Sequence, residues 1–240
     1  MNSKLAKYQN QSLHDSSSSV GDYISLLKPR VMALAVFSSI CGIILAPVSI
    51  HPFFFFISIL CISVGAGASG AINMWYDKDI DSLMERTKKR AVPQGKIEPL
   101  DALGFGVVLS LIAIILLGLS VNYKAALLLA FSILFYVCIY TIWLKRRTPQ
   151  NIVIGGASGA LPPVIGWTIA TNSLTLEPIT FFLIIFFWTP SHFWALSLYK
   201  AEDYQKAKIP MLPITNGIEE TKKNIFVYSL IMLPIVILPY

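Results

Sequence analysis

Six apolar runs of about 20 residues recur along this chain, at about 31–50, 52–75, 102–121, 124–143, 151–171 and 178–198, and nothing else in it limits the fold as strongly. A hydrocarbon core of ~30 Å takes ~20 residues of α-helix to cross, so runs of this length predict spans. A seventh begins near Ile225 and reaches roughly 16 residues by Tyr240. Barrel strands are about ten residues long and alternate polar with apolar, whereas these runs are longer and apolar all round. The expected fold class is therefore all-α, a polytopic transmembrane helical bundle. With 55% hydrophobic and only 13% charged residues, the chain lies outside the ordinary soluble range.

Basic residues gather in alternate connections. Lys28 and Arg30 precede the first span, Lys78 to Lys96 follow the second, Lys145 to Arg147 follow the fourth and Lys200 to Lys223 follow the sixth. The connections around His51, Asn122 and Asn172 hold only Lys124. Because Lys and Arg stay on the cytoplasmic side, this pattern predicts a cytoplasmic N-terminus and cytoplasmic long loops, in a bacterial inner membrane. The net charge of +6 reflects that bias and gives no indication of nucleic-acid binding. Residues 1–22 are polar and serine-rich, which predicts a disordered cytoplasmic tail ahead of a membrane domain over 23–240. Cys41, Cys61 and Cys138 fall within spans at separations that match no metal motif.

Asn73, Asp77 and Asp81 recur every fourth residue where the second span meets water. Residues four apart share one helix face, so an amide and two carboxylates point the same way. Oxygen-only ligands suit Mg²⁺, which takes one or two carboxylates and completes its shell with water and phosphate oxygens. Arg86 and Arg90 follow as candidate diphosphate contacts, since Arg binds phosphate in a bidentate way. The loops from Tyr76 to Asp101 and from Tyr199 to Asn224 are too long to be simple connections and are expected to face each other across one cavity. The second loop offers Asp203 as a further metal ligand.

The segment N-x3-D-x2-I-D-x2-M-x-R-T-x2-R-x4-G, from Asn73 to Gly95, resembles the signature of the intramembrane aromatic prenyltransferases. LLKPRV at Leu26 to Val31, TPQNIVIGGASGALPPVIGW at Thr148 to Trp167 and TPSHFWALSLYKAEDYQKAKIPMLP at Thr189 to Pro213 are similar to its protoheme IX farnesyltransferase (heme O synthase) branch. The resemblance runs from about Tyr23 to the last residue. It implies transfer of farnesyl from farnesyl diphosphate to a vinyl group of heme b, with water completing a hydroxyethylfarnesyl substituent and diphosphate released. Mg²⁺ is the implied cofactor, with Asn73, Asp77, Asp81 and Asp203 as its catalytic ligands. Arg86, Arg90, Lys200 and Lys206 are implied for diphosphate, and Lys28, Arg30 and His192 for heme. Trp75, Tyr76, Trp188, Phe193, Trp194 and Tyr199 are candidates to face an allylic cation, with interface anchoring as their other reading. Partners besides the two substrates are membrane lipid, and heme A synthase or a terminal oxidase assembly. Nine helices are implied and about seven are present, so the chain is expected to be truncated at its C-terminus. The competing readings are a prenyltransferase acting on a quinone precursor or chlorin, a membrane transporter, and an inactive truncated remnant.

Overall fold

The computed structural model describes residues 18–238, and among them every regular element is a helix. The expected tail over 1–22 lies outside the described residues except for its end. There, Ser19 caps a short helix α1, Val20–Leu26. The Ser19 hydroxyl accepts from the Asp22 amide and the Asp22 carboxylate accepts from the Ser19 amide, so two end groups are satisfied reciprocally.

Proline sets where the next helices begin. Pro29, Pro52 and Pro99 occupy the first positions of α2 (Pro29–Leu45), α3 (Pro52–Tyr76) and α5 (Pro99–Ser120), where the missing N–H has no intrahelical partner to lose. Between α3 and α5 lies a short α4, Lys78–Leu83. α6 (Tyr123–Leu134) runs on into a π-helical segment, Phe135–Leu144. α7 (Asn151–Ala160) and α8 (Pro162–Thr171) form one span broken at Leu161, ahead of Pro162 and Pro163. α9 (Glu177–Tyr199) is followed by short α10 (Ala201–Lys206) and α11 (Leu212–Thr215), then α12 (Ile218–Ile237).

Among the described residues five helices are long and apolar enough to cross a membrane, and α1 with α2 makes a sixth if that pair, bent by 53° at Lys28, is one span. The seven expected spans are thus five or six by this measure. α12 starts seven residues before the run expected from Ile225, and its first turns carry Glu219, Glu220, Lys222 and Lys223. Phe37, Ile44, Phe56, Leu119 and Leu127 are all exposed on the outside of the bundle. A surface this apolar is stable against lipid tails and a liability in water. The protein is a multi-pass membrane protein.

α2 packs on α8, α3 on α5, and α9 on both α7 and α12. The α2–α8 contact is backbone against backbone. A Cβ on Gly42 would run into the Pro163 carbonyl oxygen, and one on Gly166 into that of Ser39. The Ser39 hydroxyl donates to the Pro162 carbonyl at 2.8 Å, and the Ser132 hydroxyl to the Ser158 carbonyl at 3.4 Å, an acceptor that the missing Pro162 N–H leaves free. Gly166→Ala is expected to separate the two helices and cost about 1–3 kcal/mol. Thermal unfolding in detergent measures it, and an unchanged midpoint would show that the contact can yield.

Candidate functional site

Asn73 sits in the last turn of α3, Asp77 closes that helix and Asp81 lies one turn on in α4. The break at Asp77 (φ −90°, ψ 10°) keeps the helical bond spacing, since the Asp77 amide donates to the Asn73 carbonyl and the Asp81 amide to that of Asp77. The four-residue spacing read from the sequence therefore survives the junction. Asn73, Asp77 and Asp81 are all buried.

Each carboxylate already has a cation. Lys145 donates to Asp77 Oδ2, and Arg90 meets Asp81 Oδ2 at 2.6 Å. Arg146 forks onto both oxygens of Asp79 at 2.7 Å each, donates to the Tyr76 carbonyl, covers the Tyr76 ring at 4.7 Å and stands 3.5 Å from Asp77 Oδ1. This hydrogen-bonded pairing with Arg146 holds the Asp79 carboxyl below the usual carboxylate range, and Asp79 in turn raises the Arg146 guanidinium.

Asn73 turns its amide nitrogen to Asp77 Oδ2 (2.7 Å) and to the Thr141 hydroxyl (3.2 Å), and its oxygen to Lys28 Nζ (2.6 Å). A lysine can only donate and a carboxylate only accept, so these partners fix which way the amide faces. In this state Asn73 orients Asp77, and its own oxygen is taken. Lys28 adopts a left-handed backbone (φ 51°) at the α1–α2 bend, which directs its long side chain inward. The sequence reading gave it to heme; here it bridges to Asn73.

The π-helical segment supplies Thr141 and ends at Lys145, whose amide bonds to the Tyr140 carbonyl five residues back. Such wider turns recur at functional sites. Lys145 and Arg146 were counted only as topology signals in the sequence, yet they make the closest contacts to Asp77 and Asp79.

The second loop packs directly on the first, where the two were expected to face each other across a cavity. Ile80 and Met84 pack with Ala207, Ile209 and Met211, and the Glu85 amide donates to Asp203 Oδ1 at 3.4 Å. Asp203 is buried. Within the first loop the Thr87 hydroxyl holds the Asp81 carbonyl at 2.9 Å, and Gly95 takes a positive φ of 71° that other residues adopt at a cost.

The remaining candidates are not drawn into the cluster. Arg30, Arg86, Lys200 and Lys206 are exposed, as is His192, which stacks on Trp188 at 4.4 Å. Trp194 is buried edge-on against Tyr228 of α12, while Phe193 and Tyr199 are exposed. Of the six aromatic candidates only Tyr76 touches the charged cluster, through Arg146. An aromatic that had not been singled out, Tyr136, lines a cavity directly beneath it.

That cavity lies between α2, α3, α6 with its π-helical continuation, and the α7–α8 span. Lys28, Gly70 and Tyr136 line it near the charged end, Ala35, Ser132 and Gly159 its middle, and Ile62, Leu129 and Ile165 its far end. Its walls are almost wholly apolar. Lys28 belongs to both places at once, lining the cavity and donating to Asn73.

Among the described residues no three His, Cys, Asp or Glu side chains converge as a ready-made metal cage. The donor set still fits a hard divalent ion that brings water and phosphate oxygens with it. Asp77 Oδ1 is buried without a hydrogen-bond partner, and such an atom is costly unless something binds it.

A cluster of buried charges thus opens onto an apolar cavity inside a membrane bundle. The chain belongs to the UbiA prenyltransferase family, which matches it over residues 35–240, and it is a prenyltransferase. It is 65% identical over 219 residues to the protoheme IX farnesyltransferase of Pelagibacter ubique (strain HTCC1062), covering 91% of this chain and 72% of that one. It is 56% identical over 218 residues to the protoheme IX farnesyltransferase of Azorhizobium caulinodans, covering 91% and 71%. The structure of a UbiA homolog from Archaeoglobus fulgidus bound to DMAPP and Mg²⁺ has the same fold, with TM-score 0.71 at 18% identity, covering 89% of this chain and 76% of that one.

Proposed function

We propose that this chain transfers a farnesyl group from farnesyl diphosphate to a vinyl group of protoheme IX. The observation that carries the prenyl diphosphate half is the continuity of head site and tail cavity through Lys28. The acceptor half is supported by the protoheme IX farnesyltransferases that the chain resembles over nine-tenths of its length.

The C1–O bond of the diphosphate ester breaks and its electron pair leaves with diphosphate. The terminal vinyl carbon then forms a bond to C1. The cation left on the neighbouring carbon takes up water and releases a proton, giving the hydroxyethylfarnesyl product. Asp77 and Asp81, with Asp203 across the loop contact, would hold Mg²⁺. When bound, the ion supplies positive charge against the leaving diphosphate. Arg90, Lys145 and Arg146 stand at the edges of the carboxylates as donors for phosphate oxygens. Tyr136 presents an aromatic ring to the cavity, where an allylic cation at the head of the tail is attracted to it. Asn73 keeps Asp77 in place through its amide.

The concentration of Lys and Arg at this end supports a cytoplasmic location for it, in a bacterial inner membrane. The product would pass to heme A synthase or an oxidase assembly. Purified protein in lipid, given labelled farnesyl diphosphate, Mg²⁺ and either heme b or 4-hydroxybenzoate, tests the reading. Label is expected in heme alone; label in the benzoate would assign the chain to a quinone branch.

A further inference from the structure

We propose that Asp79 is a positioning residue of the metal site: it grips the Arg146 guanidinium and so keeps that cation off Asp77 Oδ1, the oxygen left to the divalent ion. The inference rests on the reading of Asp77 as a Mg²⁺ ligand and adds to it the residue that keeps the ligand available.

The contacts around Arg146 are uneven. Its two terminal nitrogens each meet one oxygen of Asp79 at 2.7 Å, and one of them also donates to the Tyr76 carbonyl at 2.9 Å. That same nitrogen stands 3.5 Å from Asp77 Oδ1, too far for a hydrogen bond between charged groups, which runs to about 2.9 Å. A shift of about 0.6 Å would bring it within that reach. Asp77 is fully buried, its Oδ1 has no hydrogen-bond partner among the described residues, and Arg146 Nε is buried without one as well. A small rotation that brought Arg146 onto Asp77 would serve both orphans, since buried polar groups left unpaired are costly. The rotation has not happened.

What holds the guanidinium back is Asp79. Residues two apart on a helix do not face each other, so Asp77 and Asp79 point to different sides of the α3–α4 junction. The Asp79 side chain is 58% exposed, and an ion pair that open contributes little to stability. Its geometry is what matters. A two-pronged contact fixes the plane of the guanidinium, and the Tyr76 ring, 4.7 Å from its central carbon, covers one face. Without Asp79 the Tyr76 carbonyl remains as an anchor, and a swing about it leads onto Asp77 Oδ1. Lys145 and Asn73 already hold Oδ2, so a further cation on Oδ1 would saturate the carboxylate and close it to metal.

Metal binding tests this without turnover. Mn²⁺ stands in for Mg²⁺, and the electron paramagnetic resonance signal of the free ion is followed as purified protein in detergent, saturated with unreactive farnesyl thiodiphosphate, is added. Salt at about 1 M shortens the screening length to about 3 Å, so the loss of a half-exposed charge as such has little reach. Asp79→Ala is expected to weaken Mn²⁺ binding about tenfold, which corresponds to Oδ1 being open about a tenth of the time. In an Arg146→Gln background the same change is expected to have no effect, because the intruding cation is gone. A merely structural role for Asp79 would cost the same in both backgrounds. Parent-like binding by Asp79→Ala, or an equal loss with Arg146→Gln already present, overturns the proposal. Should Asp79→Ala fail to fold, Asp79→Asn takes its place in the same pair of comparisons. Asp77→Asn separates this inference from the reading it rests on. If that variant binds Mn²⁺ as the parent does, Asp77 is no ligand and both fall; if it loses the ion while Asp79→Ala keeps it, only the role of Asp79 is lost.

Discussion

Asp77→Asn lowers prenyl transfer by about a thousandfold or more, with the protein still in the membrane. The amide has the shape of the carboxylate, and the spans that drive insertion do not include it. What is lost is charge at a fully buried position whose Oδ1 has no hydrogen bond and whose Oδ2 is held by Asn73 and Lys145. Asp81→Asn, which removes the partner of Arg90, is expected to behave in the same way. Turnover of labelled farnesyl diphosphate, together with the membrane-fraction yield, reads both effects. Substantial activity in either variant would remove these acids from the chemistry.

Lys145→Met has its largest effect on stability. Asp77 would then be left buried with Arg146 at 3.5 Å and an amide as its nearest partners. Removing one member of a buried pair costs about 3–5 kcal/mol, mostly through the charge left behind. The double variant Asp77→Asn/Lys145→Met removes both charges and is expected to recover most of that loss. A double-mutant cycle on thermal unfolding isolates the coupling. If Lys145→Met is as stable as the parent, the ion pair contributes nothing and the lysine is free for other work.

The contrast between these two residues shows what could be read before the fold was known. Asp77 stood out because a carboxylate at the end of an apolar helix is expensive and unusual, and its spacing to Asn73 and Asp81 followed helix geometry that the structure keeps. Lys145 and Arg146 did not stand out, because basic residues beyond a span are what topology alone supplies. Only the π-helical segment gives them direction, and no periodic pattern announces a π-helix inside an apolar run. Lys28 was singled out for heme, and its contact with Asn73 went unread for a related reason. Its snorkelling chemistry is common at span ends, while the left-handed backbone that turns it inward is invisible in LLKPRV. The spans were legible through length alone, and their ends through proline. Pro29 marked the break at Lys28, whereas the chain gave no comparable cue for the early start of α12.

The widened coil from Phe135 to Leu144 has a consequence for how this bundle can vary. Successive residues of an ordinary helix are about 100° apart around the axis, so any change in winding upstream rotates everything downstream by a comparable angle. Thr141 is the seventh of these ten residues and Lys145 follows the last, so the aim of both depends on the winding that precedes them. Substitutions along that stretch that alter its winding would therefore re-aim Lys145 and loosen the grip on Asp77 without touching either residue.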